Sequence, residues 1–210
     1  MYRHIAVVLL TLLITGCASL DRDECLSADW YSLGREDGSS GASAERLDRH
    51  REDCAEYGIT PDRAAYEEGY ERGIDDFCTA ASGYEKGRRG HHYNGVCPAA
   101  LESGFLLGYQ QGYALHQAEQ RVEAYNDAIE TRAREIANSE YRIYHLQEIL
   151  ADGDSSDAER QQALVNIRYL QRNIQSLRFQ LLDLRHQRQD AVMEFQRLDG
   201  QHFQGWPASP

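Results

Sequence analysis

The chain has 210 residues, and its 34 acidic side chains outnumber its 22 basic ones, for a net charge of −12. That balance excludes nucleic acid as the main partner, because phosphate binding is driven by dense positive charge. A hydrophobic content of 41% with 13 tyrosines is too rich for a disordered chain, while a mean hydropathy of −0.65 excludes a multi-span membrane protein.

Residues 1–16 read as an export signal: Arg3 and His4, an apolar run from Ile5 to Ile14, then small residues. The run is too short for a permanent membrane helix, which needs about 20 residues. Its end, Leu13-Ile14-Thr15-Gly16-Cys17, resembles the bacterial lipobox, in which cleavage just before the cysteine leaves that residue to carry lipid. The resemblance implies a mature chain that starts at diacylated Cys17, with residues 17–24 as a lipidated linker. The alternative is an ordinary signal peptide with a chance cysteine. Acyl chains bury enough methylene to anchor the chain, at about 0.8 kcal/mol per CH₂. Ala18 after the cysteine, rather than Asp, implies the periplasmic face of the outer membrane under the bacterial sorting rule. Removing residues 1–16 takes away Arg3 and no acid, so the net charge moves from −12 to −13.

Cys25, Cys54, Cys78 and Cys97 remain, an even number in an oxidising compartment, which reads as two disulfides with three conceivable pairings. The preferred pairing is Cys25 with Cys54 and Cys78 with Cys97. A metal site built from cysteines and His91-His92 is the competing reading, but no C-x-x-C spacing supports it, so no metal and no cofactor beyond the lipid are expected.

All four cysteines fall within residues 25–114, which are also rich in Gly and Tyr. A pattern of aromatic, two residues, Gly, three residues, Gly recurs as Tyr31/Gly34/Gly38, Tyr66/Gly69/Gly73 and Phe105/Gly108/Gly112, with a shortened copy at Tyr84/Gly87/Gly90. In the second and third copies the neighbours recur at helical spacing: Tyr66, Gly69, Tyr70, Gly73, Ile74, Phe77, and Leu101, Gly104, Phe105, Gly108, Tyr109, Gly112. Five glycines inside helices, Gly69, Gly73, Gly104, Gly108 and Gly112, cost about 4 to 5 kcal/mol together relative to alanine. Close approach of two helix backbones, with Tyr and Phe rings packed around the crossing, is the expected compensation. Thr60-Pro61-Asp62 and Cys97-Pro98 read as helix starts, with Thr60 as the N-cap of the first. Residues 38–43 read as a turn, with Ser43 capping a helix through Cys54.

From residue 115 glycine nearly disappears and a heptad begins: Val122, Tyr125, Ile129, Arg132, Ile136, Ser139, Ile143, Leu146 and Leu150. After the break at 151–157, where Ser156 and Glu159 form a capping box, it resumes as Ile167, Leu170, Ile174, Leu177, Leu181, Leu184, Arg188, Ala191, Phe195 and Leu198. So short a break folds the two helices back antiparallel over residues 115–199, leaving 200–210 as a flexible tail. Whether this hairpin projects or packs on the first domain stays open. The fold class expected is all-α: a small disulfide-braced, Gly/Tyr-rich helical domain followed by a long antiparallel coiled-coil hairpin.

The ordered run of Cys25, Asp29-Trp30-Tyr31, Gly34, Asp37-Gly38, His50, Cys54, Gly58, Pro61-Asp62, Ala65-Tyr66, Gly69-Tyr70, Gly73, Cys78, Tyr93, Gly95-Val96-Cys97-Pro98 and Gly108-Tyr109 resembles an uncharacterised bacterial lipoprotein family, domain of unknown function two-seven-nine-nine. The resemblance covers residues 25–112 and implies an envelope address but no activity or cofactor. The hairpin lies outside the pattern.

No nucleophile elbow, zinc-protease signature or phosphate loop is present. His50, on a predicted helix within reach of Asp53, Asp37 or Asp62, is the sole candidate base, and a structural hydrogen bond is its plainer role. Lys86, Arg88, Arg89, His91 and His92 form a basic cluster in an acidic chain, a candidate site for lipid phosphate or a glycan carboxylate. The sequence therefore leads to a non-catalytic envelope lipoprotein that binds a protein partner, or itself, through residues 115–199. Capture of anionic envelope components by the Lys86–His92 loop is the alternative.

Overall fold

The computed structural model describes residues 20–202; the segment expected to be an export signal, Cys17 and residues 203–210 lie outside the described part. Seven helices and no strand make up the described residues: α1 (Arg22–Ser27), α2 (Trp30–Ser39), α3 (Arg46–Ala55), α4 (Arg63–Phe77), α5 (Ala80–Arg88), α6 (Ala99–Ala151) and α7 (Asp157–His202). The chain divides into two compact units. One contains residues 20–86 and 91–110, the other residues 87–90 and 111–202. The division falls within α6, a few residues before the expected limit of 114, and no linker separates the units.

In the first unit α2 and α4 cross where glycine replaces side chains on both. A Cβ on Gly34 would collide with the carbonyl oxygen of Tyr66, and one on Gly69 with that of Tyr31. One turn on, Gly38 meets the carbonyl of Tyr70 and Gly73 that of Arg35. Each glycine thus sits against the carbonyl three residues before the partner's glycine, and both helices run in the same direction through the contact. The same rule holds between α5 and α6: Gly83 faces the carbonyl of Phe105, and Gly108 that of Ala80. Backbone atoms this close gain dispersion and Cα–H···O contacts, which offset the poor helix propensity of glycine.

Three expectations change here. Gly38, expected to open a turn, lies with Gly34 inside α2. The fourth copy is Ala80/Gly83/Gly87, with alanine where the others carry an aromatic, so it does not begin at Tyr84. Gly104 has open space beside it, because the crossing on α6 falls one turn later at Gly108; Gly112 is buried.

The rings pack as the repeat requires. Tyr66 and Phe105, each three residues before a crossing glycine, are fully buried. Tyr66 stacks on Tyr70 (6.2 Å between centroids, 13° between planes) and Phe105 on Tyr109 (6.3 Å, 14°). Phe105 also packs against Phe77 and Tyr93, in a core closed by Ile74 and the Cys78–Cys97 disulfide. The second disulfide joins Cys25 to Cys54, so both bridges follow the preferred pairing. Loops of 29 and 19 residues give each an entropic stabilisation of about 3 to 4 kcal/mol.

Helix starts differ in detail from expectation. Asp62, not Thr60, caps α4, because its carboxylate accepts the Ala65 N–H and places charge at the positive helix end. Ser43 accepts the Glu45 N–H at 3.4 Å, but α3 begins at Arg46 without a side-chain cap. Part of the expected linker is helical: Asp21 and Glu24 form a reciprocal capping box that starts α1.

In the second unit the residues of α6 from 111 onward and α7 form the antiparallel hairpin. Arg178 pairs with Glu140 (3.1 Å), whereas the field of Arg121 acts on Glu194, so numbers rise on one helix as they fall on the other. Ser156 and Glu159 form the expected capping box, and Arg160 donates to the carbonyls of Asp152 and Gly153 at the turn. Every α6 seam residue from Val122 to Leu150 is at least partly covered. On α7, Ile167, Leu170, Ile174, Leu177, Leu181 and Ala191 are buried, while Arg188 departs from the seam and is exposed, its charge kept in water. The helix continues through Gly200 to His202, into the segment expected to be a tail.

The glycine contacts separate two kinds of position. Gly34→Ala and Gly108→Ala each push a methyl group into a backbone carbonyl and should destabilise the chain by at least about 2 kcal/mol. Gly104→Ala, on an exposed helix face, should instead stabilise by up to about 1 kcal/mol. Thermal unfolding of the three variants checks this, and equal losses at Gly104 and Gly108 would refute the assigned crossing.

Candidate functional site

Asp37 lies on α2 three residues after Gly34, and Tyr66 lies on α4 three residues before Gly69, so the crossing brings them together. One carboxylate oxygen of Asp37 accepts from the Tyr66 hydroxyl (2.7 Å) and pairs with His50 Nε2 on α3 (2.9 Å). The other pairs with Arg46 Nε (3.3 Å). Asp37, His50 and Tyr66 are all buried. Burial alone would raise the Asp37 pKa, but the hydrogen bonds from His50 and Tyr66 and the charges of His50 and Arg46 outweigh it and hold the carboxyl below its ordinary range. Burial first, and then the hydrogen bond to Asp37, push the Tyr66 hydroxyl far up. His50 thus takes Asp37 among its three candidate partners. The network ties α2, α3 and α4 together, and its carboxylate is already committed to three groups.

Beside it α3 and α4 enclose a cleft of about 370 Å³, floored by Tyr66 and Tyr70 and edged by Arg51 and Arg63. The Tyr70 hydroxyl donates to the Ala42 carbonyl (2.8 Å). Arg51 pairs with Asp48 (3.2 Å) and Arg63 with Glu67 (2.7 Å), both in exposed positions. The cleft therefore offers little free charge.

The basic cluster is divided. Lys86 lies in the last turn of α5 with its Nζ 5.4 Å from the centre of the Phe77 ring, and the His91 carbonyl accepts from the Tyr109 hydroxyl; both belong to the first unit. Arg88, in the second unit, pairs with Glu119 and holds the Glu119 carboxyl below its ordinary range. Gly90, at φ +70, lies against the His116 imidazole. Arg89, His91 and His92 are exposed. The four cysteines that a metal site would have used are all in disulfides.

The hairpin carries the largest exposed apolar side chains. Tyr141, Tyr144, Tyr169, Phe179, Leu182 and Met193 are each more than half exposed, Phe179 the most at 72%. They lie outside the seam; a heptad reading finds the seam and passes over these positions, although their apolar identity among Arg and Gln was the available signal.

The two crossed helix pairs, with only the first few residues of the hairpin, coincide with a known family. Residues 29–114 match the model described as protein of unknown function (DUF2799). It is the family that the sequence resembles. The DUF2799 segment runs from the N-cap of α2 to two residues past Gly112, so its glycine contacts, its Asp37 network and the Cys78–Cys97 bridge fall within it, while Cys25 precedes it. No curated protein and no solved structure matches the chain.

Asp37→Asn removes the charge that three groups converge on and should cost about 3 kcal/mol near neutral pH. Because the folded-state pKa of Asp37 is depressed, its contribution is present above the unfolded value of about 3.9 and is lost as pH falls through the folded value. The gap between wild type and variant should therefore close on acidification. Denaturant unfolding at several pH values measures it, and a gap that stays constant down to strongly acid pH would show that the Asp37 charge contributes nothing.

Proposed function

We propose that the protein is a non-catalytic lipoprotein of a bacterial cell envelope, held at a membrane by lipid on Cys17. It presents the hairpin of α6 and α7 to a protein partner. The observation that carries this reading is the exposure of large apolar side chains on both helices of the hairpin, Tyr141 and Tyr144 on α6 and Tyr169, Phe179, Leu182 and Met193 on α7, outside a seam that is already covered. Large apolar side chains left in water along one hairpin support an interaction surface there. The lipobox-like Leu13–Cys17 segment supports the anchor, and no described helix is long and apolar enough to cross a membrane. The DUF2799 domain would then serve as a rigid base, with its polar network spent on holding three helices. Capture of anions by Lys86, Arg88, Arg89, His91 and His92 has less support, since Arg88 is engaged with Glu119.

Two measurements test the reading. Cys17→Ser should move the chain from the membrane fraction to the soluble fraction; retention in the membrane would remove the lipid anchor from the proposal. A photo-crosslinker at Tyr144 or Tyr169 should trap discrete adducts in the envelope, whereas one at exposed Glu68 on α4 should not. Equal labelling from all three positions would reject the hairpin as the contact element.

A further inference from the structure

The outward face of α7 identifies an occupant. Val165, Arg172, Phe179, His186 and Met193 recur every seven residues, so they form a single line along α7, opposite the buried seam of Ile167, Leu170, Ile174, Leu177 and Leu181. Val165, Phe179 and Met193 are each more than half exposed on this line, with Tyr169 and Leu182 beside it.

The line is symmetrical about Phe179, with Val165 and Met193 equally far before and after it. Charge has the opposite symmetry. Arg168 and Arg172 precede Phe179, Asp183 and Asp190 follow it, and none of these four makes an ion pair among the described residues. A second α7 turned end for end about an axis through Phe179 therefore matches the first. Phe179 meets Phe179, Val165 meets Met193, Arg168 faces Asp190, and Arg172 lies level with His186, one turn from Asp183. A parallel pairing would set arginine on arginine and aspartate on aspartate, so charge selects the antiparallel arrangement.

We propose that α7 docks antiparallel on α7 of a second copy of this chain, with Phe179 on the two-fold axis, joining two hairpins into a four-helix bundle. The contact is isologous, as expected for a closed dimer. From Val165 to Met193 it extends about 42 Å at 1.5 Å per residue, long enough to cover all three apolar side chains on both copies. This inference rests on the hairpin's being the contact element and names its partner.

The test uses the full chain purified in detergent. Phe179→Cys should give a disulfide-linked dimer on mild oxidation. Val165→Cys and Met193→Cys should each stay unlinked alone and become linked when the two proteins are mixed. Arg168→Asp should raise the dimer Kd tenfold or more, about 1.4 kcal/mol, and the added change Asp190→Arg should restore it. A Val165→Cys protein that links to itself, or a charge swap that fails to rescue, overturns the antiparallel pairing. A monomeric wild type whose hairpin still traps another envelope protein overturns the second copy as occupant and leaves the proposed function standing. A monomer whose hairpin traps nothing overturns both.

Discussion

The contact on which the first unit depends is a glycine laid against a backbone carbonyl of the crossing helix, repeated in both directions. Gly34 and Gly69 each meet the carbonyl three residues before the other, as do Gly38 with Gly73 and Gly83 with Gly108. With no side chain between them, the two backbones set the distance and leave little freedom of rotation or slip. Everything beside the crossing inherits that register: the stacked pairs Tyr66–Tyr70 and Phe105–Tyr109, and the approach of Asp37 to Tyr66. Glycine's unfavourable helix propensity is thereby offset by contacts that no other residue permits.

The two crossed pairs share one plan but differ at one polar point. Where the first pair has Tyr66 the second has Phe105, and where the first has Asp37 the second has Lys86, each at the same offset from its glycine. A hydroxyl and a carboxylate make a hydrogen bond at 2.7 Å in the first; a ring without a hydroxyl packs against Phe77 and Tyr93 in the second. The first pair carries a further helix on a charged anchor, through His50 and Arg46 of α3. The polar network is therefore the feature that distinguishes otherwise repeated halves, and it serves cohesion: a buried carboxylate needs its partners, and here they come from two other helices, α3 and α4.

Legibility in the sequence followed the range of the signal. The heptad of α6 and α7 could be read residue by residue, because a seam is a local periodicity and the capping box at Ser156 and Glu159 marks its second start. Arg188 broke the pattern because a long charged side chain turns outward at a seam position. The glycine repeat was visible, but which glycines touch was not. Gly104 belonged to the same helical stripe as Gly108 yet lies in open space, while Gly34, Gly38 and Gly83 were missed as crossing residues. Alanine at position 80 hid the fourth copy, and Tyr84 beside it offered a false start.

The sequence by itself determined the all-α class, the presence and sense of the hairpin, and the two-halved character of the chain, since each follows from spacing along the chain. Only the tertiary structure decided which repeats pair, that His50 takes Asp37 rather than Asp53 or Asp62, and that the Lys86–His92 cluster divides between two units. The reason is physical. Periodicity states which face of a helix is apolar or small, but the partner of that face is chosen by how several helices close around a common core, through backbone contacts that leave no trace in local spacing.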